Sequence, residues 1–318
     1  MIGAETIHVL VGILMAIVAI FDLRDTGNPQ RVRNATFWGA YAISLLFGSR
    51  LPDFVNGCLV IVLVLVAAIG GLSPGTPNTT SDEARRESSA KHRNRLFLPA
   101  LLVPGITLAF ALFMKKVTLD GRPIVEAKNV SLVGLSFAAL VALVVALVMF
   151  KTPVIAAARE SRRLLNLVGW AAILPQMLAA LGVVFAAAGV GERIAEVLGH
   201  VVPLDNRFAV VCTYTFGMAI FTVIMGNAFA AFPVMTAAVG LPLIVQRFGG
   251  NPAIMAAVGM LSGFCGTLMT PMAANFNIVP ALLLELPDRN GVIRVQIPTA
   301  LLLLVANTFV MYFFVFRR

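Results

Sequence analysis

The sequence predicts an all-α polytopic membrane protein with about seven or eight spanning helices, a helical hairpin and an interrupted helix. Hydrophobic residues make up 59% of its 318 residues and charged residues only 12%, and the mean hydropathy is +0.92. A soluble domain typically carries about twice that charged fraction. Several apolar runs approach or exceed the roughly 18 to 20 residues that cross a bilayer core. The alternating ten-residue segments typical of a membrane β-barrel are absent.

The apolar runs can be placed in order along the chain. We predict membrane segments at 6–22, 35–50, 53–72, 97–114, 129–150 and 164–190. Paired apolar stretches follow at 207–225 and 228–247, then an interrupted helix at 252–286 and a final helix at 296–316. The first segment follows no basic region and precedes no small-residue cleavage site, so we expect a retained helix and not a signal peptide.

The basic residues predict an orientation in the membrane. The loops at 22–35, 73–96 and 151–163 together hold twelve Lys and Arg residues, whereas the alternate loops at 50–53 and 115–128 hold five. The positive-inside rule therefore places the loops at 22–35, 73–96 and 151–163 in the cytoplasm and the N-terminus outside. The net charge is +9, but its basic residues lie between apolar runs, and no aromatic-basic recognition module is present. We therefore expect a lipid bilayer and not a nucleic acid as partner.

Two polar segments divide the chain into predicted domains. The loop 73–96 is rich in Ser, Pro and mixed charge, which predicts a flexible cytoplasmic connector. The stretch Val154–Leu165 places three Arg residues on one helical side, which favours a helix in the membrane interface, although a solvated helix end fits as well. We expect residues 1–150 to form scaffold helices and residues 151–318 a transport-type half containing the hairpin at 207–247.

The second half contains two breaks in apolar sequence where polar groups are concentrated. Gly226 and Asn227 interrupt the stretch from 207 to 247, and Pro233 follows. Gly266, Pro271 and Pro280 interrupt the stretch from 252 to 286. The polar side chains at this second break are Thr267, Thr270, Asn275 and Asn277. Non-helical backbone at membrane depth must face protein or a water-filled cavity, so we expect both breaks to be internal.

The hairpin around Gly226-Asn227 admits two arrangements. The tip carries no charge, which favours a re-entrant hairpin that ends within the protein. A helix over 207–224 would however span roughly 27 Å, almost a whole bilayer. Two full crossings joined by a tight turn therefore remain the alternative. In either arrangement, discontinuous helices of this kind are how many secondary transporters build a binding site near the midplane.

The residues at the breaks resemble a known transporter family. The stretches IMGNAFAAFPVMTAAVG (224–240) and GFCGTLMTPMAANFNIVPALLLEL (263–286) look like the bacterial 5-oxoproline (pyroglutamate) transporter subunit family, and in particular like the larger of its two membrane subunits. The resemblance implies a subunit of a secondary transporter for a small organic anion in the bacterial cytoplasmic (inner) membrane. It also implies a second membrane subunit as partner.

More distantly, the order of hairpin, broken helix and final helix is similar to the ion transporter superfamily of elevator-type carriers. That superfamily builds its site from two inverted repeats, each with a hairpin tip and an interrupted helix, and this chain shows one of each. Its Ser-Asn-Thr tip is replaced here by Gly-Asn-Ala. The resemblance implies these substrate- or ion-binding residues: Gly226, Asn227, Ala228, Thr267, Thr270, Pro271, Asn275 and Asn277.

Two further expectations concern chemistry. The predicted membrane core holds no titratable residue near the breaks, so a coupling ion would be Na⁺, bound through oxygens of Asn227, Thr267, Thr270 and Asn275. No nucleophile with an activating base and no metal-ligand spacing occurs, so we expect neither catalytic residues nor a resident metal or cofactor. The alternatives are a non-transporting assembly or regulatory subunit, and, with less support, an intramembrane enzyme.

Overall fold

The computed structural model describes residues 2–69, 72–73, 75, 81–114, 117–119, 122–201 and 205–317. The chain is an all-α polytopic membrane protein: within these residues, seven helical stretches are long and apolar enough to cross a bilayer. The helices are, in chain order, α1 (Ala4–Arg24), α2 (Arg31–Phe47), α3 (Asp53–Ala68), α4 (Asp82–His92), α5 (Phe97–Phe113), α6 (Val130–Phe150), α7 (Val154–Val168), α8 (Leu174–Ala187), α9 (Val190–Val201), α10 (Arg207–Met225), α11 (Ala228–Met235), α12 (Pro252–Leu268), α13 (Ala274–Leu283) and α14 (Gly291–Val315).

The chain divides into two compact units, Met1–Gly169 and Trp170–Arg318. The sequence had placed the division at residue 150, with α7 in the second half. In the structure α7 packs against α1 and belongs to the first unit. The difference has a physical origin in buried hydrogen bonds between α7 and α1, such as that from Asn166 Nδ2 to Asp22 Oδ1 (2.6 Å).

Polar contacts in the first unit group its loops as the charge pattern predicts. Ile2 pairs in parallel with Val125, just after a short antiparallel ladder of β1 (Thr118–Leu119) and β2 (Arg122–Pro123). The N-terminus and the loop after α5 are therefore at the same end of this unit. Asn28 and Asn34 both donate to the carbonyl of Ser73, which brings the loops after α1 and α3 together. Both pairs had been assigned to a common side by the distribution of Lys and Arg.

The loop at 73–96 is not a flexible connector throughout, and that prediction is wrong for its second part. Residues Asp82–His92 form α4, and a 3₁₀ turn (Arg93–Leu96) links it to α5. Ser81 caps the helix, its Oγ accepting from the N–H of Ala84. Basic residues occupy the last turn, where they interact favourably with the negative end of the helix dipole. Mixed charge had indicated disorder, but the same residues are good helix formers.

The membrane segment predicted at 164–190 falls largely within the apolar helical stretch Val154–Phe185, but it is not one continuous α-helix. The helix α7 ends at Val168, and Gly169 follows with φ +61° and ψ −139°, a conformation that a side chain would strain. A short 3₁₀ turn then leads into α8. Glycine directly after the last helical residue is a common helix stop, but the apolar run around Gly169 by itself predicts a continuous helix.

The second unit packs around α10, α12 and α14. Its core contains Tyr214, Met218, Met255 and Met311, all almost fully buried. The hydroxyls of Thr215 and Thr308 meet 2.8 Å apart between α10 and α14, which satisfies two polar groups inside this core. The predicted interrupted helix is present as α12 and α13, and α14 begins at Gly291, earlier than the predicted residue 296.

The hairpin consists of α10 and a second arm that changes helical type. The arm begins as α11 and continues as a π-helix over Thr236–Arg247, with Pro233 and Pro242 inside it. A proline removes one backbone donor and clashes with the preceding turn, which explains why the arm departs from regular α geometry. Both arms, at 19 and 20 residues, are long enough to cross a bilayer, so length does not decide between the two arrangements of the hairpin.

Candidate functional site

The hairpin tip is a sharp turn built by two residues. The helix α10 ends at Met225, and Gly226 adopts a left-handed conformation with φ +69°, which favours glycine. Asn227 then begins α11: its side-chain Oδ1 accepts from the backbone N–H of Phe229 at 2.8 Å. This is a standard helix N-cap, so the break predicted from Gly226 and Asn227 has an identifiable local cause.

The second break separates α12 from α13. The helix α12 ends at Leu268, and α13 begins at Ala274 after a turn that contains Pro271. Carbonyls at this helix end lack intrahelical partners, and Asn277 supplies them. Its Nδ2 donates to the carbonyl of Thr267 (2.9 Å) and to that of Thr270 (2.7 Å). Asn277 is completely buried, so these two bonds hold the broken helix in one conformation.

The two breaks are in direct contact. Thr270 Oγ1 donates to the carbonyl of Val223 in the last turn of α10 (2.8 Å) and accepts from the N–H of Met272 (3.2 Å). Gly226 is buried against Met272, so closely that a Cβ on Gly226 would lie 2.6 Å from the Met272 carbonyl oxygen. The hairpin tip therefore packs on the turn between α12 and α13, and the glycine is required by this contact as well as by its φ.

A cavity of about 240 Å³ lies beside this contact. Five of the eight predicted site residues line it: Gly226, Asn227, Ala228, Thr267 and Asn275. Its remaining walls are apolar, formed by Leu178, Phe229, Phe264, Met272 and Phe276. Cavities for drug-sized ligands usually measure about 300–1,000 Å³, so this one fits a smaller molecule.

No charged side chain of the described residues lines the cavity, so its electrostatics depend on the helix ends that surround it. Residues of the first turn of α11 (Ala228, Phe229) and of α13 (Asn275, Phe276) line the cavity, so two helix N-termini meet there. Each N-terminus carries about half a positive charge, although the N–H groups of Phe229 and Phe276 already donate to Asn227 Oδ1 and to the Ala273 carbonyl. The side chain of Asn275 and the Nδ2 of Asn227 have no hydrogen-bond partner among the described residues. These donors are available to a ligand that accepts hydrogen bonds.

Three predicted site residues do not line the cavity. Thr270 and Asn277 are buried, and both donate hydrogen bonds to backbone carbonyls. Thr270 donates to Val223, and Asn277 donates to Thr267 and Thr270. Pro271 is exposed in the turn and ends the helical run. For Thr270 the structure revises the expected role, because its hydroxyl already donates one hydrogen bond and accepts another.

One oxygen near the cavity is left without a partner. Asn277 Oδ1 is buried and accepts no hydrogen bond from the described residues. The orientation of this amide follows from its surroundings, since two carbonyls face it and only the NH₂ group can donate to them. A buried acceptor without a donor is rare in native structures and often indicates a bound water or ion.

The apolar walls of the cavity were missed from the sequence. Phe229 and Phe276 are adjacent in the chain to predicted residues, so proximity to the breaks was a signal that could have found them. Leu178, on α8, is distant from both breaks, and only the packing of α8 against α11 and α13 brings it there. Elsewhere in the described residues, no group of three or more His, Cys, Asp or Glu side chains could hold a metal ion.

Comparison with known proteins gives a family. The chain belongs to the family DUF979, described as proteins of unknown function, whose profile matches residues 5–316. No curated protein and no solved structure matches the chain.

Proposed function

We propose that this member of the DUF979 family is one subunit of a secondary transporter that moves a small organic anion across the bacterial cytoplasmic membrane. The proposed substrate class includes 5-oxoproline, as the sequence resemblance implies. The binding site is the cavity between the hairpin tip and the broken helix. The proposal assigns no catalytic role to the chain, and the second unit acts by an elevator-type movement.

The observation that carries the proposal is the meeting of two helix N-termini at one cavity. Both α11 and α13 contribute their first residues to its lining, together with the amides of Asn227 and Asn275. Paired N-termini favour a negative group such as a carboxylate, because the positive ends of their dipoles act together. The aromatic walls suit the apolar body of a small organic acid. Transporters with discontinuous helices bind anionic substrate groups in this way.

We further propose Na⁺ as the coupling ion, with a ligand set that differs from the one the sequence indicated. Thr270 Oγ1 is occupied by Val223 and Met272, whereas Asn277 Oδ1 is buried and unpaired. Asn277 therefore replaces Thr270 in the proposed set. Asn227 Oδ1 accepts only one hydrogen bond and Thr267 Oγ1 only donates one, so both oxygens keep a lone pair for the ion, and the set retains Asn227, Thr267 and Asn275. Neutral oxygens at broken helices are typical Na⁺ ligands in secondary transporters.

The proposal includes a second membrane subunit. The described residues contain one hairpin and one broken helix, and transporters with inverted repeats use two such pairs. Two copies related by an axis along the membrane normal point the same way, so a homodimer does not supply an inverted pair. A partner with its own hairpin, in the opposite orientation, would complete the site.

The experiment is uptake of radiolabelled 5-oxoproline into proteoliposomes. We expect uptake when this chain and its companion subunit are reconstituted together under an inward Na⁺ gradient, and none with either subunit alone. Uptake that follows a pH gradient and ignores Na⁺ would contradict Na⁺ coupling. Robust uptake by this chain alone would contradict the need for a partner. If the companion transports equally well without this chain, the chain is an assembly or regulatory subunit and the proposed function is wrong.

A further inference from the structure

A buried polar cluster lies in the first unit, where α1, α2 and α7 meet. The indole N–H of Trp38 donates to Asn166 Oδ1, and Asn166 Nδ2 donates to Asp22 Oδ1, both at 2.6 Å. All three side chains are almost completely buried. Because an indole only donates, the Asn166 amide has one orientation, and Asp22 Oδ1 is fixed as an acceptor.

The charges in this cluster do not balance. The charged side chains that face Asp22 are Arg162, from α7, and Asp25, at the end of α1. Arg162 is nearer to Asp25: its guanidinium donates to Asp25 Oδ2 at 2.9 Å, whereas its Nε is 3.9 Å from Asp22 Oδ1. One guanidinium thus serves two carboxylates, and the fully buried one has the weaker interaction. An unpaired charge at such a site is unfavourable, and a titratable group is neutralised instead.

The second oxygen of Asp22 provides the place for neutralisation. Asp22 Oδ2 is buried and accepts no hydrogen bond from the described residues. The Asn34 amide also faces Asp22, but it donates to the carbonyl of Ser73 and accepts from the Ser73 N–H. Oδ1 is committed as an acceptor, so an added proton would be carried by Oδ2. A metal cation would instead have to share the carboxylate with the guanidinium of Arg162, which repels it.

We propose that Asp22 is a proton-binding site, loaded on Oδ2 while Oδ1 keeps its hydrogen bond from Asn166. In the loaded state Arg162 pairs with Asp25 alone, and α7 is held to α1 through this ion pair and through Asn166. On proton release the new negative charge competes with Asp25 for Arg162, so the attachment of α7 depends on pH. The proposal concerns the first unit and is independent of the transport site.

The test is thermal unfolding of the full chain in detergent between about pH 4 and pH 8, comparing wild type with Asp22→Asn. Asparagine imitates the protonated acid. If Asp22 binds a proton in the folded state that the unfolded chain releases, raising the pH destabilises wild type and leaves this contribution unchanged in the variant. We expect similar Tm values at about pH 4 and a variant roughly 2–4 °C more stable at about pH 8.

The opposite sign would overturn the proposal. If Asp22 acts as an ionised partner of Arg162, Asp22→Asn loses stability most at about pH 8. Asp25→Asn is the matched control, because it removes the nearer partner of Arg162 and should show that loss.

A second measurement does not depend on the variant folding. Infrared spectra of wild type with ¹³C-labelled aspartate carboxyl groups should show a protonated, dehydrated carboxyl at about pH 5, where ordinary aspartates are largely ionised. A spectrum without that signal would overturn the proposal by itself.

Discussion

Asn227 has two separate roles at the hairpin tip, and they can be tested separately. Its Oδ1 caps α11, and its Nδ2 is a free donor beside the cavity. Asn227→Ser keeps a good cap but removes the amide donor. A hydrogen bond to a charged group contributes about 1.5–3 kcal/mol, so uptake at low substrate concentration should fall by about tenfold or more in the reconstituted complex.

Asn251 provides the matched control for Asn227. It caps α12 in the same way, accepting from the N–H of Ala253, but it does not line the cavity. Asn251→Ser should leave uptake nearly unchanged. Equal uptake by the Asn227→Ser complex and wild type would reduce Asn227 to a capping residue.

The NH₂ group of Asn277 is expected to contribute to stability, apart from the role proposed for its Oδ1 as a Na⁺ ligand, whereas its neighbour Asn275 should contribute little. Asn277→Ala would leave two buried carbonyls at the end of α12 without donors, at a cost of about 1–3 kcal/mol each. Asn275 is exposed and unpaired among the described residues, so Asn275→Ala should change stability by about 0.5 kcal/mol or less. Thermal or denaturant unfolding of the two variants measures the difference, and equal stabilities would contradict the bonding described for Asn277.

The loops of the first unit make the orientation of the chain testable. Asn28, Asn34 and Ser73 hold two basic loops at one end, and the positive-inside rule places that end in the cytoplasm. The test uses a variant of this protein without its three native cysteines and with one new cysteine at an exposed position of α4, such as Ser88→Cys. This cysteine should resist a membrane-impermeant maleimide in intact cells and react after the cells are opened. Labelling of intact cells would invert the orientation.

Local patterns predicted the helix breaks better than they predicted the contacts between helices. Gly226, Asn227 and Pro271 act on their own backbone, so their consequences can be read from adjacent residues. By contrast, Asp22 and Asn166 meet only because α7 packs on α1, and no local pattern indicates that pairing. Leu178 likewise reaches the cavity only through tertiary packing, that of α8 against α11 and α13. Gly169 is a local helix stop, but the apolar run around it favours a continuous helix.

At the scale of the whole molecule, the second unit supplies one half of the proposed anion site. The cavity of about 240 Å³ presents two positive helix ends and no charged side chain among the described residues. This arrangement favours one negative group at the tip, whatever the exact acid. It also predicts that a fixed negative charge at the tip competes with the substrate.

The measurement that tests this claim most directly is anion uptake by the reconstituted two-subunit complex. Uptake by the complex that carries Asn227→Asp is compared with uptake by the complex that carries Asn251→Asp. Aspartate is as good a helix cap as asparagine, so both variants should fold and insert normally. We predict that Asn227→Asp abolishes 5-oxoproline uptake, because its carboxylate repels the substrate anion at the N-termini of α11 and α13, while Asn251→Asp transports at nearly the wild-type rate. Undiminished uptake by Asn227→Asp would contradict an anion site at this cavity.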